Sequence, residues 1–376
     1  MKEFRIFLLL VVAIGFVVTS FVVLPHNNGI TTESKSPPPM KGLCWVGGDS
    51  IADHNITQIT DFGTNWISQT PFGWMEGHDN PQVRGNFDRA WWGETDKGIK
   101  ETTRLAQKGG VKSMLKPHIW LRRSGDKWRS DIAMNSQAEW DQWFQSYKEW
   151  ILHYAGVAQE GNIESLCIGT ELHQTIKREQ EWRHIIAEIR KVYDGELTYA
   201  ANWYQEYEDV KFWDALDYIG VQAYFPLSNK SYPIKKDLKK SWAKHIKSLA
   251  GLSEKYNKKV VFTEIGYKNT ADAANEPWTW PQDLDNDVVI SDETQIVCYQ
   301  ALFESVWNEP WFNGLFIWKW FHTTYKYETY DEYFVQWDER RKERAKRRNR
   351  PVRPPVYFSP QRTECFDILS EWYTEE

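Results

Sequence analysis

Two glutamates define the chemistry open to this chain. Glu171 lies in the run Ile168-Gly-Thr-Glu-Leu-His173, which follows Asn162-Ile-Glu-Ser-Leu-Cys167. Glu264 lies near the end of Lys258-Lys-Val-Val-Phe-Thr-Glu-Ile-Gly-Tyr267. Each carboxylate closes a short apolar run that reads as a buried strand, where the chain turns polar. Two opposed carboxylates are the minimum equipment for cleaving a glycosidic bond. One must protonate the leaving oxygen, because an alkoxide leaves poorly. The other must meet the developing oxocarbenium ion from the opposite side. Carboxyls roughly 5–5.5 Å apart give direct attack with retention of configuration, and wider spacing admits a water and gives inversion.

The elements that position these groups follow from alternation. Short apolar runs occupy Lys41–Gly47, Thr64–Phe72, Val111–Trp120, Ile163–Leu172, Glu196–Trp203, Tyr218–Phe225, Lys258–Tyr267 and Asn313–Phe321. Amphipathic helical stretches are predicted over Thr95–Gln107, Ala138–Ala158, Glu181–Val192, Lys235–Tyr256, Thr294–Trp307 and Glu364–Tyr373. Eight strands alternating with helices predict an α/β fold of the (β/α)8 TIM-barrel type, whose sites lie at the C-terminal ends of the strands. A doubly wound open sheet is the rival, but Trp45-Val-Gly-Gly-Asp-Ser50 lacks the glycine spacing of a nucleotide-binding turn. Strands four and seven stand three positions apart around an eight-stranded barrel. Their ends therefore face each other across the mouth, an arrangement suited to the closer spacing. The same rim collects Lys116 and His118 from the third strand, Thr170 from the fourth, Asn202 from the fifth, Tyr224 from the sixth and Trp318 from the eighth. These are the candidate substrate-binding residues. No cluster has metal-ligand spacing, and neither a metal nor a cofactor is expected.

Composition narrows the partner. The chain has 376 residues, a formal net charge of -6 and 41% hydrophobic residues. The charge argues against nucleic acid, whose binding rests on phosphate neutralisation by Lys and Arg. The 22 Trp, 18 Tyr and 18 Phe exceed what a core requires, since each indole N–H wants a hydrogen-bond partner. Flat rings lining a cleft suit sugar faces, so the expected partner is a β-linked polysaccharide or oligosaccharide. Cys44, Cys167, Cys298 and Cys365 match no zinc pattern. They read as buried thiols, with one disulfide as the alternative in an exported body.

Residues 1–25 carry Lys2 and Arg5 before an apolar run from Ile6 to Leu24. That length approaches the ~20 residues that span a bilayer and exceeds the usual core of a cleavable signal. An uncleaved membrane anchor is favoured over a signal peptide, and either reading exports the body. Residues 26–39 have linker composition, leaving 40–376 as the barrel. Gly73 to Glu94 is expected as a long loop on the C-terminal face. The basic insertion at 338–355 reads as a solvated helix or an excursion.

Several motifs together resemble glycoside hydrolase family 113, within clan A of the retaining (β/α)8 hydrolases. They are VKSMLKPHIW (111–120), IGTELH (168–173), YIGVQAYFPL (218–227), VVFTEIGY (260–267) and GLFIWKWF (314–321). The resemblance runs from Met40 to Trp337 and resumes at Phe358. It implies endo-β-1,4-mannanase activity by double displacement. It places the acid/base on Glu171, the nucleophile on Glu264, the tyrosine that steadies the nucleophile on Tyr224, and the tryptophan that floors the sugar site on Trp318. The sequence departs from the clan in carrying Thr170 where an asparagine usually precedes the acid/base. Another β-glycan, or a non-catalytic carbohydrate-binding barrel, is the alternative function.

Overall fold

The computed structural model describes residues 39–123, 125–322, 330–362 and 364–375. The apolar N-terminal run and all but the last residue of the linker lie outside them. Among the described residues, no helix is long and apolar enough to cross a membrane.

The chain enters through β1 (Met40–Val46), α1 (Asp53–Asp61), β2 (Trp66–Gln69) and β3 (Phe72–Met75). It continues through α2 (Asp96–Lys108), β4 (Lys112–Leu115), β5 (His118–Leu121), α3 (Gln137–Glu160) and β6 (Ser165–Thr170). Next come α4 (Glu179–Ile189), β7 (Glu196–Asn202), the one-turn α5 (Glu206–Asp209) and β8 (Ile219–Gln222). The last part holds α6 (Lys235–Tyr256), β9 (Val260–Ile265), α7 (Asp292–Val306), β10 (Phe312–Phe321), α8 (Tyr330–Arg347) and α9 (Cys365–Thr374). Eight of the strands close into one barrel in the order β1-β10-β9-β8-β7-β6-β4-β2. Every pairing is parallel, and β2 returns to β1. With its surrounding helices this is the expected (β/α)8 barrel.

The period of two along each strand separates two apolar layers. Met40, Cys44, Trp66, Met114, Cys167, Ala200, Tyr218, Val261 and Phe316 fill the barrel interior. Within it the Ser165 and Tyr218 hydroxyls pair at 2.6 Å. The opposite faces of the strands meet the helices. From α6, Leu238, Trp242, Leu249 and Leu252 are buried, along one helical stripe, each contributing roughly 1.5–3 kcal/mol by leaving water. Thr95, Ser136 and Ser291 cap α2, α3 and α7 through their hydroxyls, satisfying N–H groups that the first turn leaves open. All four cysteines are buried, as small apolar groups would be.

Two expectations change, and a third is resolved between its alternatives. The second and third predicted strands each divide in two, because Pro71 and Pro117 interrupt them. Proline supplies no ladder N–H. The chain resumes beyond each break, and β3 pairs with β5 in a separate two-stranded sheet above the barrel. Part of the predicted 73–94 loop is therefore strand. Finally, the basic insertion begins inside α8, whose residues there are half-buried or exposed, and only 348–355 leave the helix.

Candidate active site

The site begins where β6 ends. Glu171 has φ of 52°, in the left-handed region that a non-glycine residue avoids unless its surroundings hold it. Its own N–H bonds Ala200 O at 2.9 Å. The N–H of Leu172 bonds the Tyr199 hydroxyl at 2.8 Å. These bonds to β7 fix the turn. The Glu171 side chain is 12% exposed. Trp128 Nε1 donates to its Oε2 at 3.1 Å, and Asn202 Nδ2 donates to its Oε1 at 3.2 Å. Arg129 Nε lies 3.7 Å from Oε2. Burial raises the Glu171 carboxyl above its ordinary value. The Arg129 charge pulls it down, Glu264 pushes it further up, and the net direction is upward.

Glu264 lies in β9, buried at the barrel mouth. Lys116 Nζ donates to its Oε1 at 2.5 Å and to Thr263 O at 2.9 Å. The Tyr224 hydroxyl donates to Oε2 at 3.1 Å. Lys116 is fully buried. Burial acts to lower its ammonium, but Glu264 and the nearby thiols outweigh this and the net shift is upward. The ammonium therefore stays charged beside Glu264. His118 Nε2 is 3.6 Å from Glu264 Oε1, beyond hydrogen-bond range, and is buried without a partner. Burial, with Arg129 and Lys116 nearby, holds this imidazole well below its ordinary value and hence neutral.

Four of the six binding residues expected at the rim thus gather around the two carboxylates: Lys116, His118 and Tyr224 at Glu264, and Asn202 at Glu171. Trp318 is half-buried at the edge of the interior cluster, with Trp280 edge-on at 6.2 Å. Thr170 is buried, and its hydroxyl lies 3.7 Å from Cys167 Sγ in the barrel interior. It is placed beside the acid but turned away from it.

Sequence reasoning missed three site residues. Trp128 and Arg129 follow β5 in a polar stretch with no strand-end signal, and Arg129 is only 4% exposed. Glu206, on α5, is fully buried. It accepts from the Tyr199 hydroxyl and, at 2.8 Å, from Asn202 N–H. Burial pushes its carboxyl up to about 8. Glu206 therefore braces both segments that hold Glu171, the Leu172 turn through Tyr199 and the end of β7 through Asn202. The signal available was its spacing, four residues beyond Asn202.

A parallel eight-stranded barrel with two carboxylates at its mouth, one mostly buried and raised by that burial, the other buried and clamped by a lysine and a tyrosine, is the arrangement of a glycoside hydrolase. The profile of Glycoside Hydrolase Family 113 matches residues 48–335, and the chain belongs to that family. Among solved structures, a family 113 β-1,4-mannanase is 25% identical, with a TM-score of 0.70, covering 90% of this chain and 100% of its own. The family 113 β-mannanase from Alicyclobacillus acidocaldarius, in complex with ManMIm, is 24% identical with the same TM-score, covering 90% and 97%. A β-glucuronidase from Ruminococcus gnavus shares the fold more distantly, at 12% identity and a TM-score of 0.51, covering 77% and 45%. No curated protein matches the chain.

Proposed function

We propose that the protein hydrolyses β-1,4-mannosidic linkages in mannan-type polysaccharides or oligosaccharides with retention of configuration. The observation that carries this reading is the unequal treatment of the two carboxylates. Glu264 accepts hydrogen bonds from Lys116 and Tyr224, donors that orient a carboxylate for attack. Glu171 is pushed toward its protonated form, the state a general acid needs at neutral pH.

Glu264 attacks the anomeric carbon as Glu171 gives its proton to the departing glycosidic oxygen. The products of this step are a glycosyl ester on Glu264 and a shortened chain with a free hydroxyl. Esterification removes the Glu264 charge that raised the Glu171 carboxyl, and Glu171 becomes the base for the second step. It takes a proton from water, whose oxygen attacks the anomeric carbon from the vacated side and releases Glu264. His118 Nε2, neutral and without a partner, is available to a sugar hydroxyl, and Trp318 offers a ring face to the sugar under attack. Mannose is supported by the family and by its mannanase structures.

Proton NMR of mannohexaose during cleavage is expected to show the β-anomer appearing first, with the α-anomer following only by mutarotation. Glu264→Ala is expected to lose at least about 10⁴-fold in kcat, because no covalent step remains. First appearance of the α-anomer, or near-normal turnover by Glu264→Ala, overturns the double displacement. A normal rate on a β-glucan with none on mannan moves the substrate to the β-glucan alternative.

A further inference from the structure

Beside the acid lies an aromatic surface that the two-carboxylate chemistry does not use. Trp203 and Tyr204 directly follow Asn202, whose amide holds Glu171 Oε1, and Tyr204 N–H bonds Asn202 Oδ1 at 3.0 Å. Trp203 is half-buried, anchored on Phe225 with ring centroids 6.1 Å apart. Trp278, from the segment after β9, stacks on Trp203 at 5.0 Å and 26°. Trp278 is 40% exposed and Tyr204 59% exposed. Large apolar rings gathered at the surface beside a catalytic cleft mark a binding face.

Two features give this face a direction. Glu171 delivers its proton to the bond being broken, so the departing sugar lies on the Glu171 side, next to Asn202. The loop that carries Trp278 also carries Trp280, edge-on to Trp318 at 6.2 Å. Two residues of chain span at most about 7 Å. The rings that meet Trp318 and Trp203 are therefore carried by one short segment, which joins the edge of the sugar site to the aromatic surface.

Resting on the glycosidase reading above, we infer that Trp278, Trp203 and Tyr204 form the binding platform for the leaving-group side of the substrate. The ligand is a β-linked pyranose unit whose apolar C–H face lies on the Trp278 and Tyr204 rings. The platform makes the enzyme favour chains that continue beyond the scissile bond. Its binding energy is used before the chain leaves, and the glycosyl-enzyme gains nothing from it.

The test compares two probes on full-length protein. One is mannohexaose, with sugars on both sides of the scissile bond. The other is 2-deoxy-2-fluoro-β-mannosyl fluoride, which labels Glu264 and departs as fluoride, with no sugar on the leaving side. Trp278→Ala is expected to lower kcat/KM on mannohexaose about tenfold, the scale of one lost ring contact, and to shift cleavage toward fewer sugars on the leaving side. Its loss in labelling rate is expected to be much smaller, and Trp278→Phe to recover most of the mannohexaose rate. Tyr204→Ala, at a more exposed ring, serves if Trp278→Ala fails to fold. Equal losses on both probes, or no loss on mannohexaose, overturn the platform. Wild-type protein that cleaves neither mannohexaose nor cellohexaose overturns the parent reading, and this one with it.

Discussion

Arg129 has the greatest leverage over the acid and was the hardest site residue to read from the chain. Its guanidinium lies over the Trp128 ring at 4.2 Å, with Nε 3.7 Å from Glu171 Oε2. Two of its buried nitrogens have no hydrogen-bond acceptor, so its contribution to Glu171 is charge more than hydrogen bonding. Glu171 must carry a proton to act, and kcat/KM falls as pH rises through its pKa. Burial sets that limb high, and Arg129 draws it back. Arg129→Gln removes the charge and is expected to move the alkaline limb of kcat/KM upward. A limb that stays in place or moves down removes Arg129 from the control of the acid. The carboxylates themselves were legible because each closes an apolar run, the one position where a barrel strand yields a buried but reachable side chain. Arg129 and Glu206 were not, because their burial comes from tertiary packing over a 3₁₀ turn and a one-turn helix. Locally, Lys127-Trp-Arg-Ser130 and Gln205-Glu-Tyr-Glu208 read as solvated loops.

Among the elements, eight strand positions were readable because a parallel barrel buries both faces of each strand, turning it into a near-continuous apolar run. The breaks at Pro71 and Pro117 were written in the sequence but lay inside runs that stay apolar on both sides. Hydrophobic pattern alone carried each prediction across its proline. α1 escaped because its sequence is largely polar and only Asn55, Ile56 and Ile59 are buried. Closure of the barrel depends on a small residue that pattern does not reveal. At Gly42, in β1, an added Cβ would lie 2.5 Å from Phe316 Cδ1 and 2.7 Å from Leu315 O, both in β10. The phenyl ring has some freedom to move, but the carbonyl belongs to the seam that closes the sheet. Gly42→Ala is therefore expected to cost about 1–3 kcal/mol by overpacking, read as a Tm lowered by several degrees in a circular-dichroism melt. An unchanged Tm requires that β1 and β10 part without loss of pairing.

At the scale of the whole molecule, charge is distributed far from its average. The net charge is -6, yet residues 338–355 hold nine cationic and three acidic side chains. Asp338 is committed to Arg341 and Lys342 within α8, at 2.5 and 2.7 Å. The family match ends at residue 335, before this segment begins. The remainder of the chain is thus more acidic than the total suggests, and one helix with its extension carries a concentrated positive field. Such a field acts over about a Debye length, ~10 Å at 0.1 M salt, so a surface meets the patch before it meets the average. Despite a sequence pI of about 5.9, the protein is expected to be retained on a cation exchanger at pH 7 in about 0.01 M salt, where the Debye length is ~30 Å, and to elute as salt shortens it. Replacing Arg344, Lys346, Arg347 and Arg348 by Gln is expected to abolish retention, because these side chains are exposed and their loss leaves five cations against three acids in the segment. Retention that survives the four replacements places the field elsewhere on the surface. Flow-through of the wild type at low salt would mean that the acidic remainder screens the helix from an approaching surface.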